Sequence, residues 1–159
     1  MDRLKQDGIS CFSPLVDRWK SNKTGPKKRL CRLLPGYVFV ECENEPVWHE
    51  IRKLPGVICP LTYPDGSYAL RGGDITFVEW LKRFDAVIEV SLVVQEGTKI
   101  QFVEGPLKNM SGNVIKVNKK RRMAAVQFGE GDGLFKTVWC SFDYVQGCAD
   151  TKELANEYE

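Results

Sequence analysis

Apolar and polar residues alternate along several short runs in the second half of the chain. Ile100 and Phe102 share one face of the first run with Gln101 between them, and Gly112 opens the next run. A period of two is typical of half-buried β-strands. Strands are predicted at 99–103, 113–117, 123–128, 137–139 and 144–145. Short strands this close together predict a small β-barrel.

The first half mixes helical and strand patterns. Phe77, Val78, Leu81 and Phe84 have the spacing of one helix face, and Asp74 precedes them as a candidate cap. The predicted elements are the end of a helix at 1–7, strands at 9–16, 37–42 and 57–61, and helices at 46–54 and 74–84. This order predicts an α+β layer.

Three segments of the first half complete this prediction. The run 37–42 is almost continuously apolar, which predicts a strand buried on both faces. The basic segment 17–29 contains turn residues and is predicted to be an exposed loop. Residues 85–95 are predicted to connect the α+β layer to the barrel.

Charge is segregated along the chain. The 159 residues carry a net charge of only +2, but 18–40 holds seven basic residues and no acid, and 106–129 holds six basic residues and no acid. The segment 148–159 reads as an acidic tail. Segregated charge predicts two basic surfaces on a nearly neutral molecule.

Enzymatic and metal chemistry have little support in the sequence. The six cysteines form no Cys-x-x-Cys pair and no cluster with histidine, so neither a zinc site nor another cofactor is predicted. His49 is the single histidine and is expected on a helix surface, whereas Cys31 lies between Arg29 and Arg32 and is the thiol to test for reactivity. The absence of a secretory signal or long apolar run predicts a cytoplasmic protein without a membrane span.

The stretch 105–114, GPLKNMSGNV, resembles the KOW motif over its whole length. The stretch 34–40, LPGYVFV, precedes a predicted helix, and the complete order of elements resembles the NusG family of transcription elongation factors over about 3–146. The resemblance implies an NGN-type polymerase-binding domain at 1–84, a linker at 85–95, a KOW/SH3-like barrel at 96–147 and an acidic tail at 148–159. We expect the first domain to lack the family's first strand and most of its first helix.

The resemblance also implies partners. Family members bind the clamp helices of RNA polymerase through an apolar patch, which carries over to Tyr37 and Phe39, with Pro35 and Gly36 shaping the surface. The KOW barrel of the family contacts RNA or a protein partner, such as a ribosomal protein. The residues assigned here to nascent RNA are Lys108, Asn109, Lys116, Lys119, Lys120, Arg121 and Arg122.

A finer resemblance points to the specialised LoaP-type antiterminators. It is carried by 70–74, LRGGD, together with the KOW stretch and 119–124, KKRRMA. It implies a monomeric factor without catalytic activity that recognises an RNA hairpin and promotes elongation through terminators. The alternatives are a ribosomal KOW protein anchored in structured RNA, which would usually be more basic, and an enzyme built on Cys31 or His49. Two purely structural interpretations also remain open. The basic turn would then be a solvated surface without a ligand, and Tyr37 and Phe39 would pack in the core.

Overall fold

The computed structural model describes residues 2–44, 48–130, 133–135 and 137–145. In chain order the elements are α1 (Asp2–Gln6), β1 (Ser10–Phe12), β2 (Leu15–Asn22), β3 (Gly25–Arg32), β4 (Phe39–Glu41), α2 (Trp48–Ile51), α3 (Gly73–Arg83), β5 (Val87–Ile88), β6 (Ser91–Glu96), β7 (Lys99–Glu104), β8 (Asn113–Asn118), β9 (Met123–Gln127) and β10 (Val138–Tyr144). The predicted acidic tail and Cys148 lie outside these residues.

The second half folds as a curled half-barrel of five strands in the order β7-β6-β10-β9-β8. Strand β10 pairs in parallel with β6 and antiparallel with β9. Strands β7, β8 and β9 confirm three predicted strands to within one residue at the end of each, and the two predicted closing strands are one continuous strand, β10. The α+β region followed by a KOW/SH3-like half-barrel confirms the predicted fold class.

The first half is built on two small sheets. Strand β1 pairs with β4, and a second sheet has the order β3-β2-β5. The predicted strand 9–16 is therefore split, because Ser13 and Pro14 separate β1 from β2 and the chain changes sheet there. Residues 85–95, predicted as a connection, contain β5 and most of β6, so they take part in both halves. The domain boundaries themselves stay a prediction.

Four local predictions differ from the structure. The segment 17–29 is a regular antiparallel hairpin of β2 and β3, not a loop. Residues 57–61 form no strand, and Ile58 is 90% exposed. Strand β4 is shorter than the predicted run 37–42, and that run is not buried on both faces, since Tyr37 and Val38 are exposed. The predicted helix 46–54 is the single turn α2, and Pro46 and Val47 lie outside the described residues.

Helix α3 lies at the centre of the main core. Its apolar stripe confirms the burial of Phe77 and Leu81 and adds Trp80, which the predicted stripe omitted. Phe77 and Trp80 both contact Phe128 at the end of β9, with ring centroids 5.2 Å apart in each pair. One apolar cluster therefore contains residues from both halves of the chain.

The contact between α3 and β9 requires a glycine. A Cβ on Gly73 would lie 2.6 Å from the backbone oxygen of Phe128, closer than real Cβ atoms come to such atoms. Gly129, with φ +63, faces Gly73 at the same crossing. Two glycines therefore let the helix start touch the strand end.

Candidate functional site

An apolar groove runs beside the stretch predicted to bind polymerase. It has a volume of about 1180 Å³ and is lined by residues 35–40, by α2 and the chain after it to Leu61, and by Phe135. Several of its large apolar side chains are exposed, above all Tyr37 at 44% and Ile58 at 90%. Exposed apolar side chains around one concavity are typical of a surface that binds a partner.

The structure gives different environments to the two aromatic residues predicted for this surface. Phe39 is only 8% exposed and stacks on Phe12 with ring centroids 5.1 Å apart. Tyr37 is exposed, and its ring meets Phe135 edge-on at 6.2 Å. Phe39 also contacts Phe135, at 5.3 Å. Of the two, Tyr37 is therefore available to a partner, while Phe39 belongs to the core beneath it.

Pro35 and Gly36 form the turn that leads into this surface. The amide of Tyr37 donates to the carbonyl of Leu34 over 3.2 Å, and Gly36 has φ 87, a left-handed conformation that glycine adopts at low cost. Both turn residues are exposed at the rim of the groove. They shape the entry of β4, and their role in binding polymerase stays a prediction.

A buried aspartate fixes the wall of the groove opposite Tyr37. Asp74 accepts hydrogen bonds from the hydroxyl of Tyr63 at 2.6 Å and from the backbone amides of Leu134 and Phe135 at 2.8 and 3.2 Å. The prediction that Asp74 caps α3 is wrong, because the residue before the helix is Gly72 and Asp74 lies inside the first turn. Instead it holds Phe135 in place. Burial and the bond to Asp74 raise the pKa of Tyr63.

The residues predicted to bind RNA lie in two separate places. Lys108 and Asn109 are exposed on the loop after β7, where the amide of Lys108 donates to the carbonyl of Gly105. The basic turn 119–122 follows β8, and Lys116 is exposed on β8 itself. Strand β8 lies between the loop and the turn, so the structure does not bring all seven residues together.

The side chains of the turn 119–122 differ in whether they already bind other residues of the protein. Lys119 donates from Nζ to the carbonyl of Thr98 over 3.2 Å, and Arg122 pairs with Asp143 at 2.6 Å. Lys120 and Arg121 are exposed, and the backbone amide of Arg121 donates to Oδ1 of Asn118. Lys120 and Arg121 are therefore the members of the turn best placed to meet a phosphate.

The hairpin of β2 and β3 forms a second basic surface. Arg18 lies directly opposite Arg29, and Lys20 directly opposite Lys27. Directly opposed residues of an antiparallel pair point to the same face, so these four cations share one side of the hairpin. The sequence carried the signal: cations two residues apart on each side of a turn that contains Gly25.

Trp19 joins the hairpin to the basic turn. Its indole Nε1 donates to the backbone carbonyl of Phe142 on β10 over 3.2 Å. Its ring lies 5.7 Å from the guanidinium carbon of Arg122 and 5.5 Å from Nζ of Lys28. Two basic segments that are about a hundred residues apart in the sequence thus meet at one tryptophan.

The cysteines and the histidine considered for an enzyme or a metal differ in their surroundings. Burial raises the pKa of the Cys140 thiol to about 12, and Cys31 is half-buried. His49 is exposed, 3.9 Å from a carboxylate oxygen of Glu50. Within the residues that the structure describes, no three metal-ligating side chains cluster. No described helix is long and apolar enough to cross a membrane.

The first part of the chain matches a known family. Residues 1–72 match the family model described as transcription termination factor nusG. A comparison with curated proteins found no match. The matched residues include the turn at Pro35, strand β4 and most of the groove wall. Together with the α+β region and the half-barrel that follows it, this match supports membership of the chain in the NusG family of transcription factors.

Proposed function

We propose that the chain is a cytoplasmic transcription elongation factor without catalytic activity, of the specialised antiterminator type. It binds the clamp helices of RNA polymerase through the groove beside Tyr37 and binds nascent RNA through the half-barrel, so that the polymerase passes terminators. The observation that carries the proposal is the groove itself: an open apolar surface that lies in the residues matching the NusG family.

The groove suits a helical partner. An amphipathic helix binds by laying its apolar side chains in a hydrophobic groove. Tyr37 and Ile58 offer aromatic and aliphatic surface to such a helix, and the buried Phe39 supports the strand from below. Burying one such side chain against a partner contributes about 1.5–3 kcal/mol.

The polymerase contact is tested by co-purification of core RNA polymerase with the full chain. Tyr37→Ala and Ile58→Asp are expected to weaken binding by roughly tenfold or more each, because 1.4 kcal/mol corresponds to a tenfold change. Ile75→Asp is the matched control, since Ile75 is 43% exposed on α3 and does not line the groove. Equal binding by all three variants would contradict the proposal.

The antitermination part needs a functional readout. Single-round transcription across an intrinsic terminator is expected to give more read-through product with the wild-type chain than without it. Tyr37→Ala is expected to lose this effect, whereas Ile75→Asp keeps it. A chain that binds polymerase but leaves read-through unchanged would be an elongation factor without antitermination activity.

The RNA contact of the half-barrel is tested separately. Lys120→Thr with Arg121→Thr removes the two exposed charges of the turn, and Lys108→Thr removes the charge of the loop. Because the turn and the loop lie on either side of β8, comparing these variants shows which of the two meets the RNA. Unchanged affinity in both would exclude Lys108, Lys120 and Arg121 as RNA contacts.

A further inference from the structure

The β2–β3 hairpin carries a charge arrangement that disfavours its own folding. Two cross-strand pairs, Arg18 with Arg29 and Lys20 with Lys27, place like charges directly opposite each other. Like charges at directly opposed positions destabilise a β-ladder. Lys28 adds a further cation, which lies on the opposite face of the hairpin. Nothing in the packing of the hairpin requires these charges, since most of β3 is exposed.

The hairpin cations also lack acidic partners. Elsewhere in the described residues arginine and lysine side chains form ion pairs, as Arg71 does with Asp65 and Lys82 with Glu41. Within those same residues no cation of β2 or β3 forms an ion pair. Arg18 is half-buried, and its Nη1 has no hydrogen-bond partner there. Among the described residues, the positive charge of this surface is therefore not neutralised by an ion pair.

Trp19 connects the other face of the hairpin, the one that carries Lys28, to the turn 119–122. The ring of Trp19 lies beside the cations of Lys28 and Arg122, and its indole is tied to the half-barrel through Phe142. The amide of Phe142 in turn donates to the carbonyl of Arg122 over 2.9 Å. The hairpin and the turn are consequently fixed against each other. Strand β3 is the outer strand of its sheet and is mostly exposed, so a ligand that follows this edge can meet the cations of both faces and reach the turn.

The shape favours a single phosphodiester chain. Neighbouring β-strands lie about 4.8 Å apart, so a two-stranded ladder of cations forms a narrow basic ribbon. The ribbon lies against the half-barrel, because β2 packs on β10 and its Trp19 and Arg18 are partly buried there. A ribbon fixed in this way tracks one strand, whereas insertion into the groove of a duplex needs a free projection.

We infer that the β2–β3 hairpin and the turn 119–122 form one composite binding surface for the phosphate backbone of single-stranded RNA. The inference rests on the proposed function for its RNA partner and extends the RNA site into the first half of the chain. Lys20, Lys27, Lys28 and Arg29 supply the hairpin contacts, and Lys120 and Arg121 supply those of the turn. Trp19 acts as a positioning residue that holds the two parts together.

The test measures binding of a fluorescent single-stranded oligouridylate to the full chain by anisotropy, over a series of salt concentrations. Lys27→Thr with Arg29→Thr removes two hairpin charges and keeps residues that suit a strand. We expect affinity to fall roughly 25-fold at 0.1 M salt, because each phosphate contact contributes about 0.7 to the slope of log affinity against log salt. The slope itself should become shallower by about 1.4.

Two controls show whether a loss of RNA affinity comes from misfolding or from the lower net charge alone. Arg52→Gln with Lys53→Gln removes the same charge after α2, outside the surface, and should leave affinity within about twofold of the wild type. The hairpin variant should also melt at the wild-type temperature or above it, since it removes two like-charge oppositions. Weaker binding by a protein of equal or greater thermal stability is not explained by misfolding.

Failure of the composite surface can be distinguished from failure of the proposed function. If Lys120→Thr with Arg121→Thr weakens RNA binding and the hairpin variant does not, the composite surface is wrong and the half-barrel site stands. If the wild type does not bind RNA but still co-purifies with polymerase, the inference is overturned and the polymerase proposal stands. Tighter binding of duplex DNA than of the single strand also overturns the inference.

Discussion

Trp80 of α3 donates a hydrogen bond from its indole Nε1 to the backbone carbonyl of Pro106 over 3.1 Å, and this bond joins the helix to the loop that resembles the KOW motif. Both residues are buried. The same loop is held by a second buried bond, from the amide of Leu107 to the hydroxyl of Ser91. The half-barrel therefore depends on α3 for both packing and hydrogen bonding.

Trp80→Phe should lower the free energy of unfolding by about 1–3 kcal/mol, because it leaves the buried carbonyl of Pro106 without its donor. Urea denaturation followed by circular dichroism measures the loss. Trp139→Phe is the control, since Trp139 is half-buried on β10 and its truncation should cost less. Equal losses in both variants would show that the bond contributes nothing beyond packing.

Gly73→Ala should destabilise the chain although alanine is the better helix former. The gain in helix propensity is at most about 1 kcal/mol, whereas overpacking a close contact costs about 1–3 kcal/mol. The clash is with the backbone of Phe128 and Gly129, which cannot rotate away as a side chain can. Thermal melting measures the effect, with Ile75→Ala, an exposed change on the same helix, as control. A higher melting temperature for Gly73→Ala would refute the tight crossing.

Stability should fall in alkaline solution as Tyr63 ionises. Its folded pKa is raised above the ordinary value of 10.0, chiefly by burial and then by the hydrogen bond to Asp74. The stabilising contribution is therefore complete below pH 10 and is lost as the pH rises through the folded pKa. Unfolding free energies measured from pH 8 to 11 should show a steeper decline for the wild type than for Tyr63→Phe, and parallel curves would contradict this.

Thiol reactivity should divide the cysteines by burial. Cys42 and Cys59 are exposed and should react with a disulfide reagent in the folded protein, while Cys140 should not, because burial raises its pKa to about 12. Peptide mapping after a short labelling pulse identifies the modified residues, and labelling in denaturant gives the reference. Rapid labelling of Cys140 in the folded chain would mean that β10 opens locally.

Alternating strands were the most predictable part of the fold. The run around Ile100 alternates with a period of two, the runs around Val114 and Val126 are short and apolar, and the structure forms a strand at each. The hairpin 17–29 was predicted as a loop because a high density of charges and turn residues is also typical of loops. The one sign of strand pairing is that cations occur at matching distances on the two sides of the turn. Residues 57–61 show the opposite error, since β-branched residues alone do not supply a pairing partner.

The candidate sites were predictable in composition but not in position. Sequence could identify Tyr37 and Phe39 as one apolar pair, but their different exposure follows from the approach of Phe12 and Phe135, which are distant in the chain. Likewise, no local pattern brings Trp19 to Arg122. Tertiary contacts of this kind depend on how α3 and β10 pack, and neither packing is encoded in a short window.

Strand β5 pairs with β2 through Val87 and Ile88, and only Glu89 and Val90 separate it from β6 in the half-barrel. A flexible linker presents one part of a chain to another at an effective concentration set by its length. Here only two residues form the connection. Each half is therefore held close to the other, at a high effective concentration. Flexible residues inserted between Glu89 and Val90 would therefore weaken the association of the halves progressively with insert length.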